Sequence, residues 1–188
     1  MTTPSEHLTA WGIPPIFHEI LESGKVEQDV NAMALAKEWL TAERPFCVIA
    51  GNNGSGKTTF ACQMLKAWAS YQAKKTKEYV GARFIKTGIL YQEWLDAVRN
   101  GGAYRLLMKI AELDVIVLDD IGVRKPAEGW REWMISLVDY RLDHLKRTII
   151  TTNLNSKDIA EQFGEIFLSR ILVGTQIRIQ GEDRRKKA

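Results

Sequence analysis

No stretch of this sequence approaches the roughly 20 consecutive apolar residues that a membrane-spanning helix needs, and its beginning lacks the pattern of a secretory signal. A membrane-bound protein is therefore not expected, and cytoplasmic residence is the default reading. Cysteine is scarce. Cys47 and Cys62 are the only two in 188 residues, they have apolar neighbours, and no His/Cys spacing suggests a metal site. They read as small buried side chains. An excess of one charge is also lacking: the formal net charge is +3, too small to prove a nucleic-acid partner by itself. Repeats and low-complexity segments are absent.

What is present is ordinary for one soluble α/β domain, with 45% hydrophobic and 26% charged residues. Basic residues gather at Lys74, Lys75 and Lys77 and again at Arg184–Lys187. Such runs are usually solvated surface or tail, and polyanion binding is the minority reading.

Residues 1–30 read as irregular, because Pro4, Pro14, Pro15 and Gly24 interrupt any long pattern. A helix over 31–42 follows and ends at Arg44-Pro45, since the residue before proline avoids the helical region. Buried strands are expected at 46–50, 82–86, 115–118, 148–152 and 175–179, and helices at 57–73, 89–99, 104–112, 129–145, 156–163 and 165–172. Trp130, Trp133, Met134, Leu137, Val138 and Leu145 recur at helical spacing, which reads as core packing. Strands alternating with helices imply a mainly parallel sheet covered on both sides.

Gly51-Asn52-Asn53-Gly54-Ser55-Gly56-Lys57-Thr58 fits G-x-x-x-x-G-K-[ST] without mismatch, between a buried strand and a helix. Glycines allow the tight turn that points successive N–H groups at phosphate oxygens, and the helix N-terminus adds its dipole. Lys57 reaches the outer phosphates of ATP, and the Thr58 hydroxyl is a ligand for Mg²⁺. Asp119, after Val115–Leu118, is the acid expected at the magnesium site; Asp120 is placed to orient or deprotonate water. Thr151-Thr152-Asn153 at the fourth strand's end supplies short polar groups beside the expected γ-phosphate position, unless Asn153 simply turns the chain. Arg170, inside the apolar run Phe167–Leu172, is either a surface residue or an arginine offered to a neighbouring subunit's site.

GNNGSGKTT (51–59), VIVLDDIGV (115–123), TIITTN (148–153) and FLSRI (167–171) together resemble the AAA+ ATPases of the bacterial replicative helicase-loader family, the DnaC, DnaI and IstB kind. The resemblance covers about residues 45–182. It implies an αβα P-loop NTPase sandwich, an AAA+ core with little or no separate lid, assembling head-to-tail with ATP at the subunit interface. Gly51–Thr59 would bind the nucleotide, Asn153 would be the sensor-1 residue, and Arg170 the arginine finger. A sensor-2 arginine would be Arg184 or Arg185, with slight preference for Arg185. The family's weak ATPase would act with a hexameric replicative helicase and single-stranded DNA.

Two departures stand out. Asp120 occupies a place where many AAA+ proteins carry Glu, and only about 45 residues precede the P-loop strand, where loaders often have a separate domain. Residues 1–44 are expected to form a linker and one helix, 45–182 the ATPase domain, and 183–188 a basic tail. Trp11, Ile13, Ile16, Phe17, Ile20 and Leu21 form an apolar cluster suited either to a partner or to the adenine side of the site. Lys86, Arg99, Arg105 and Lys109 are candidate DNA contacts or ordinary solvated charges. The alternatives are an IstB-like transposition helper on duplex DNA and, from a different class, a P-loop small-molecule kinase.

Overall fold

Five short apolar strands, each followed by a helix or loop, assemble in the computed structural model into one parallel sheet of order β2-β3-β4-β1-β5. The structure describes residues 4–24, 30–122 and 127–180. The strands are β1 (Phe46–Gly51), β2 (Ala82–Lys86), β3 (Val115–Ile121), β4 (Arg147–Thr152) and β5 (Thr175–Ile179). Between them run α4 (Lys57–Thr76), α5 (Thr87–Arg99), α6 (Ala103–Ala111), α7 (Glu128–Asp143), α8 (Ser156–Phe163) and α9 (Glu165–Leu172).

Side chains alternate across the sheet and feed two cores. Cys47, Ile49, Val117 and Ile149 pack with Phe60 and Leu65 of α4. Phe46, Val48, Ile116 and Ile150 pack on the other face with Trp130, Met134 and Leu137 of α7 and Phe167 of α9. Burial on both faces explains why these strands read as continuous apolar runs. Trp130 and Trp133 are buried and stack on one another, so their aromatic pair is core, as expected. Both cysteines are buried, and burial pushes their thiols far up from the usual range.

The expectation of irregular structure before residue 30 does not hold for residues 4–24. Helices α1 (Pro4–Ala10) and α2 (His18–Ser23) flank a 3-10 turn at Pro15–Phe17, and α3 (Val30–Thr41) follows. The prolines start helical turns instead of breaking them, because the first turn needs no N–H from proline. Leu8, Ile13, Leu21 and Trp39 join the same core as β1. Of the apolar cluster, Ile13 and Leu21 are buried and Ile16 is exposed, while Trp11, Phe17 and Ile20 pack against that core. Most of it is thus absorbed by this chain's own domain.

Polar bonds secure the segment. Phe84 N–H at the β2 edge donates to Trp11 O (2.7 Å), and Lys66 Nζ donates to Leu21 O (2.7 Å). Arg147 donates to Trp39 O, Ala42 O and Arg44 O, with its guanidinium 5.1 Å from the Trp39 ring centroid. Helix α7 ends earlier than its apolar spacing predicts: His144 caps it, and Leu145 is left-handed (φ +51°) and exposed.

Candidate active site

The crevice lies at the C-terminal ends of the strands, where a parallel sheet presents its loops together. From β1 the chain enters the glycine loop and leaves it into α4. Gly54 (φ +73°) and Gly56 (φ +93°) are left-handed, which lets the loop wrap tightly and makes Gly56 the residue before the helix. Gly51 is required for a different reason. A Cβ there would lie 2.4 Å from Ile179 O, so β5 approaches the loop too closely for any side chain.

Lys57 is buried at the start of α4, and its Nζ donates to Gly51 O (2.8 Å) and Asn52 O (2.7 Å). Ser55 Oγ is buried with no hydrogen-bond partner. An ammonium arched over a loop of left-handed glycines, beside an orphaned hydroxyl, is a donor set suited to phosphate oxygens.

Thr58 Oγ1 donates to Asp119 Oδ1 (2.9 Å), joining residues 61 positions apart at the two motifs. Asp119 is 2% exposed, and its Oδ1 accepts a second hydroxyl proton, from Thr151 (2.7 Å). Burial raises the Asp119 carboxyl above the usual carboxylate range, while the hydroxyl donors pull it back down. A buried carboxylate that has hydroxyl donors and, among the described residues, no ion pair fits a group that brings positive charge. No described cluster of three His, Cys, Asp or Glu could cage a metal by itself. Thr58 and Asp119 therefore suit Mg²⁺, which takes few protein ligands and completes its shell with phosphate and water.

Asp120 is exposed and stands in the left-handed region (φ +58°) at a break in the β3–β4 register. Asn153 is exposed, and its Nδ2 donates to Asn53 Oδ1 at 3.4 Å, tying the end of β4 to the glycine loop. The structure thus gathers Gly51–Thr59, Asp119, Asp120 and Asn153 around one crevice. Thr151 and Thr152 differ from expectation: both are fully buried, and their hydroxyls are bonded to Asp119, Asp120 and Ile121 of β3 instead of standing free in the crevice. They face β3 because they stand where its ladder is interrupted.

Arg170 belongs to a different surface. On α9 its Nε donates to Asp139 Oδ1 of α7 at 2.5 Å, with both side chains partly exposed. Asp139 was not singled out by sequence, since nothing in a solvated acid on a helix marks its partner. Arg184 and Arg185 lie outside the described residues. Lys86 at the end of β2, Arg99 on α5, and Arg105 and Lys109 on α6 are exposed, and Arg99 pairs with Asp96 at 3.2 Å. A cleft of about 490 Å³ borders the site, walled by Gly51, Asn52, Asn153, Ile171, Arg178 and Gln180. Lys57, Asp119 and Asp120 do not line it, so it lies beside them.

Comparison with known proteins gives a family and a fold. A family model described as IstB-like ATP binding protein matches residues 24–188. An ATP-binding protein of insertion sequence IS1162 from Pseudomonas fluorescens is 28% identical over 131 residues, 70% of this chain and 53% of that protein. The chain thus spans about half the length of that relative. Among solved structures, the DnaC helicase loader superposes with a TM-score of 0.74 at 24% identity, covering 89% of this chain and 100% of that one. DnaI gives 0.68 at 18% identity, covering 88% and 89%.

Proposed function

This chain belongs to the IstB-like ATP binding protein family, and from that premise we propose that it hydrolyses ATP in a Mg²⁺-dependent reaction coupled to DNA. The observation that carries the reading is the Thr58–Asp119 hydrogen bond, which holds the P-loop hydroxyl and the acid of β3 in one place. Lys57 and the loop N–H groups bind and orient the phosphates, and Thr58 and Asp119 would hold the cation. When bound, Mg²⁺ offsets the charge that develops on the transferring phosphoryl group. Asp120 accepts the proton of the attacking water, Asn153 orients that water or the γ-phosphate, and ADP leaves as phosphate forms.

Two DNA roles follow from the resemblance. The insertion-sequence relative supports an IstB-like transposition helper that assembles on duplex DNA. The fold shared over the full length of the DnaC chain supports a helicase-loader role with single-stranded DNA and a hexameric helicase. Both use ATP-dependent assembly, with Arg170 offered to the next subunit and a basic residue, Arg184 or Arg185, sensing nucleotide. The family match gives the duplex reading the greater weight. Transfer of phosphate to a small molecule has no support from the family.

The test is ATP hydrolysis by wild type, Lys57→Ala and Arg170→Ala, alone and with single-stranded or duplex DNA. Loss of activity in both variants, partly restored by mixing Arg170→Ala with Asp119→Ala, is the result expected of shared sites. Stimulation by duplex, with filaments in electron micrographs, selects the transposition role. Stimulation by single strands and co-purification with a helicase select the loader role. Normal hydrolysis by Arg170→Ala would remove the finger assignment, and a DNA affinity that does not fall with salt would remove phosphate contacts by the basic residues.

A further inference from the structure

Beyond Leu118↔Ile150, the next aligned pair of β3 and β4 is Ile121↔Thr152. Three steps on β3 thus face two on β4, and the extra residue makes a bulge, rare between parallel strands. Asp120 occupies this bulge at φ +58°. That conformation is disfavoured for a residue with a Cβ, less for Asp than for most, and here a specific partner holds it.

What holds it is the fourth strand. Asp120 N–H, cut off from the regular ladder, donates to Thr151 Oγ1 at 2.9 Å, and the same hydroxyl donates to Asp119 Oδ1 at 2.7 Å. Thr152 does the same one residue on: its Oγ1 donates to Ile121 O (3.1 Å) and accepts from Leu154 N–H (3.1 Å). A hydroxyl can donate and accept at once, which no apolar β-branched residue can do.

We infer that Thr151 is a positioning residue of the hydrolytic site, its single hydroxyl setting the Asp119 carboxylate and the Asp120 backbone relative to each other. This rests on the ATP-hydrolysis reading above. Thr151 is 0% exposed, so it acts through the two acids and touches no nucleotide itself. A buried threonine that only filled space would be replaceable by valine, its near-isostere.

The experiment compares Thr151→Val and Thr151→Ser with wild type in steady-state hydrolysis, in nucleotide binding with and without Mg²⁺, and in Asp120 amide hydrogen exchange. Thr151→Val should lower kcat about 10- to 100-fold, the effect of a small misplacement of reacting groups. KM should rise by no more than the affinity lost with Mg²⁺, because the glycine loop and Lys57 are intact. Affinity for nucleotide alone should persist while the gain from Mg²⁺ shrinks. Asp120 N–H, protected in wild type, should exchange at least about tenfold faster, having lost its acceptor. Thr151→Ser should restore each property.

Wild-type kcat in Thr151→Val would overturn the inference, as would an unprotected Asp120 amide in wild type or failure of serine to do better than valine. If instead wild type hydrolyses no ATP and Lys57→Ala binds nucleotide as well as wild type does, the hydrolysis reading falls. Amide exchange in the three proteins still decides what the hydroxyl does.

Discussion

Replacing Arg141 by methionine should destabilise the domain strongly and leave its nucleotide chemistry alone. The guanidinium is fully buried. It donates to Thr148 Oγ1 (2.8 Å), Ile110 O (3.1 Å), Ala111 O (2.9 Å), Leu113 O (2.8 Å) and Arg147 O (2.6 Å). Two of these carbonyls belong to the last turn of α6, where helical partners run out. Burial pushes Arg141 down to about 9, so it remains charged at neutral pH. Methionine matches its length but strands these acceptors, each at a cost of about 1–3 kcal/mol. Release of a desolvated cation offsets part of that loss. Stripping one member from a buried charged network typically costs about 3–5 kcal/mol, and that is the expected net loss. Urea unfolding followed by fluorescence of the Trp94–Trp130–Trp133 cluster would measure it. With a slope of about 2 kcal/mol/M, the midpoint should fall by roughly 2 M. Arg141 bonds at the start of β4, and the crevice lies at its far end, so the folded variant should bind ATP as wild type does. A loss below about 1 kcal/mol, or a matching fall in ATP affinity, would refute the reasoning.

In metal- and nucleotide-free protein, Asp119→Asn should raise the melting temperature at neutral pH. Because burial raises the folded carboxyl above its unfolded value, the ionised group opposes folding, and that penalty disappears as pH falls below the ordinary carboxylate range. The advantage over wild type should therefore vanish in acid, and calorimetry across pH would detect its absence. With Mg²⁺ and ATP the order should reverse, wild type gaining more from ligand. Gly122→Ala should cost roughly 2–4 kcal/mol from its left-handed φ and from overpacking. Gly122 has φ +89°, and an added Cβ would lie 2.1 Å from Leu154 Cδ1. Adding Leu154→Ala should recover only the steric part, measured by the same unfolding assay. Arg147→Gln should loosen the end of α3, read as faster limited proteolysis near residues 42–44; an unchanged digestion pattern would count against the clasp.

Much of this protein is written locally. The five strands and most helices follow from apolar periodicity, and the glycine loop from one contiguous motif. Asp119 was legible because an uninterrupted apolar run ends on it. The roles of Thr151 and Thr152 were not, because they depend on a register break between strands about 30 residues apart. Sequence shows two threonines at a strand end but not which way their hydroxyls turn. Arg170 and Asp139 pose the same difficulty, since their bond joins two helices. The early helices were hidden for another reason: proline both interrupts and initiates helices, and packing against the core decides which.

The sheet's two edges are finished differently. At β2 the Trp11 carbonyl takes the Phe84 N–H, so the segment after α1 occupies part of that border. At β5 the exposed Gln176 and Arg178 alternate with buried neighbours, and a charged, five-residue edge is a poor template for another strand. Growth of the sheet from copy to copy is thereby discouraged on both sides. Among the described residues, association of copies would fall to helices and loops, surfaces that can part again without unravelling a ladder of main-chain bonds.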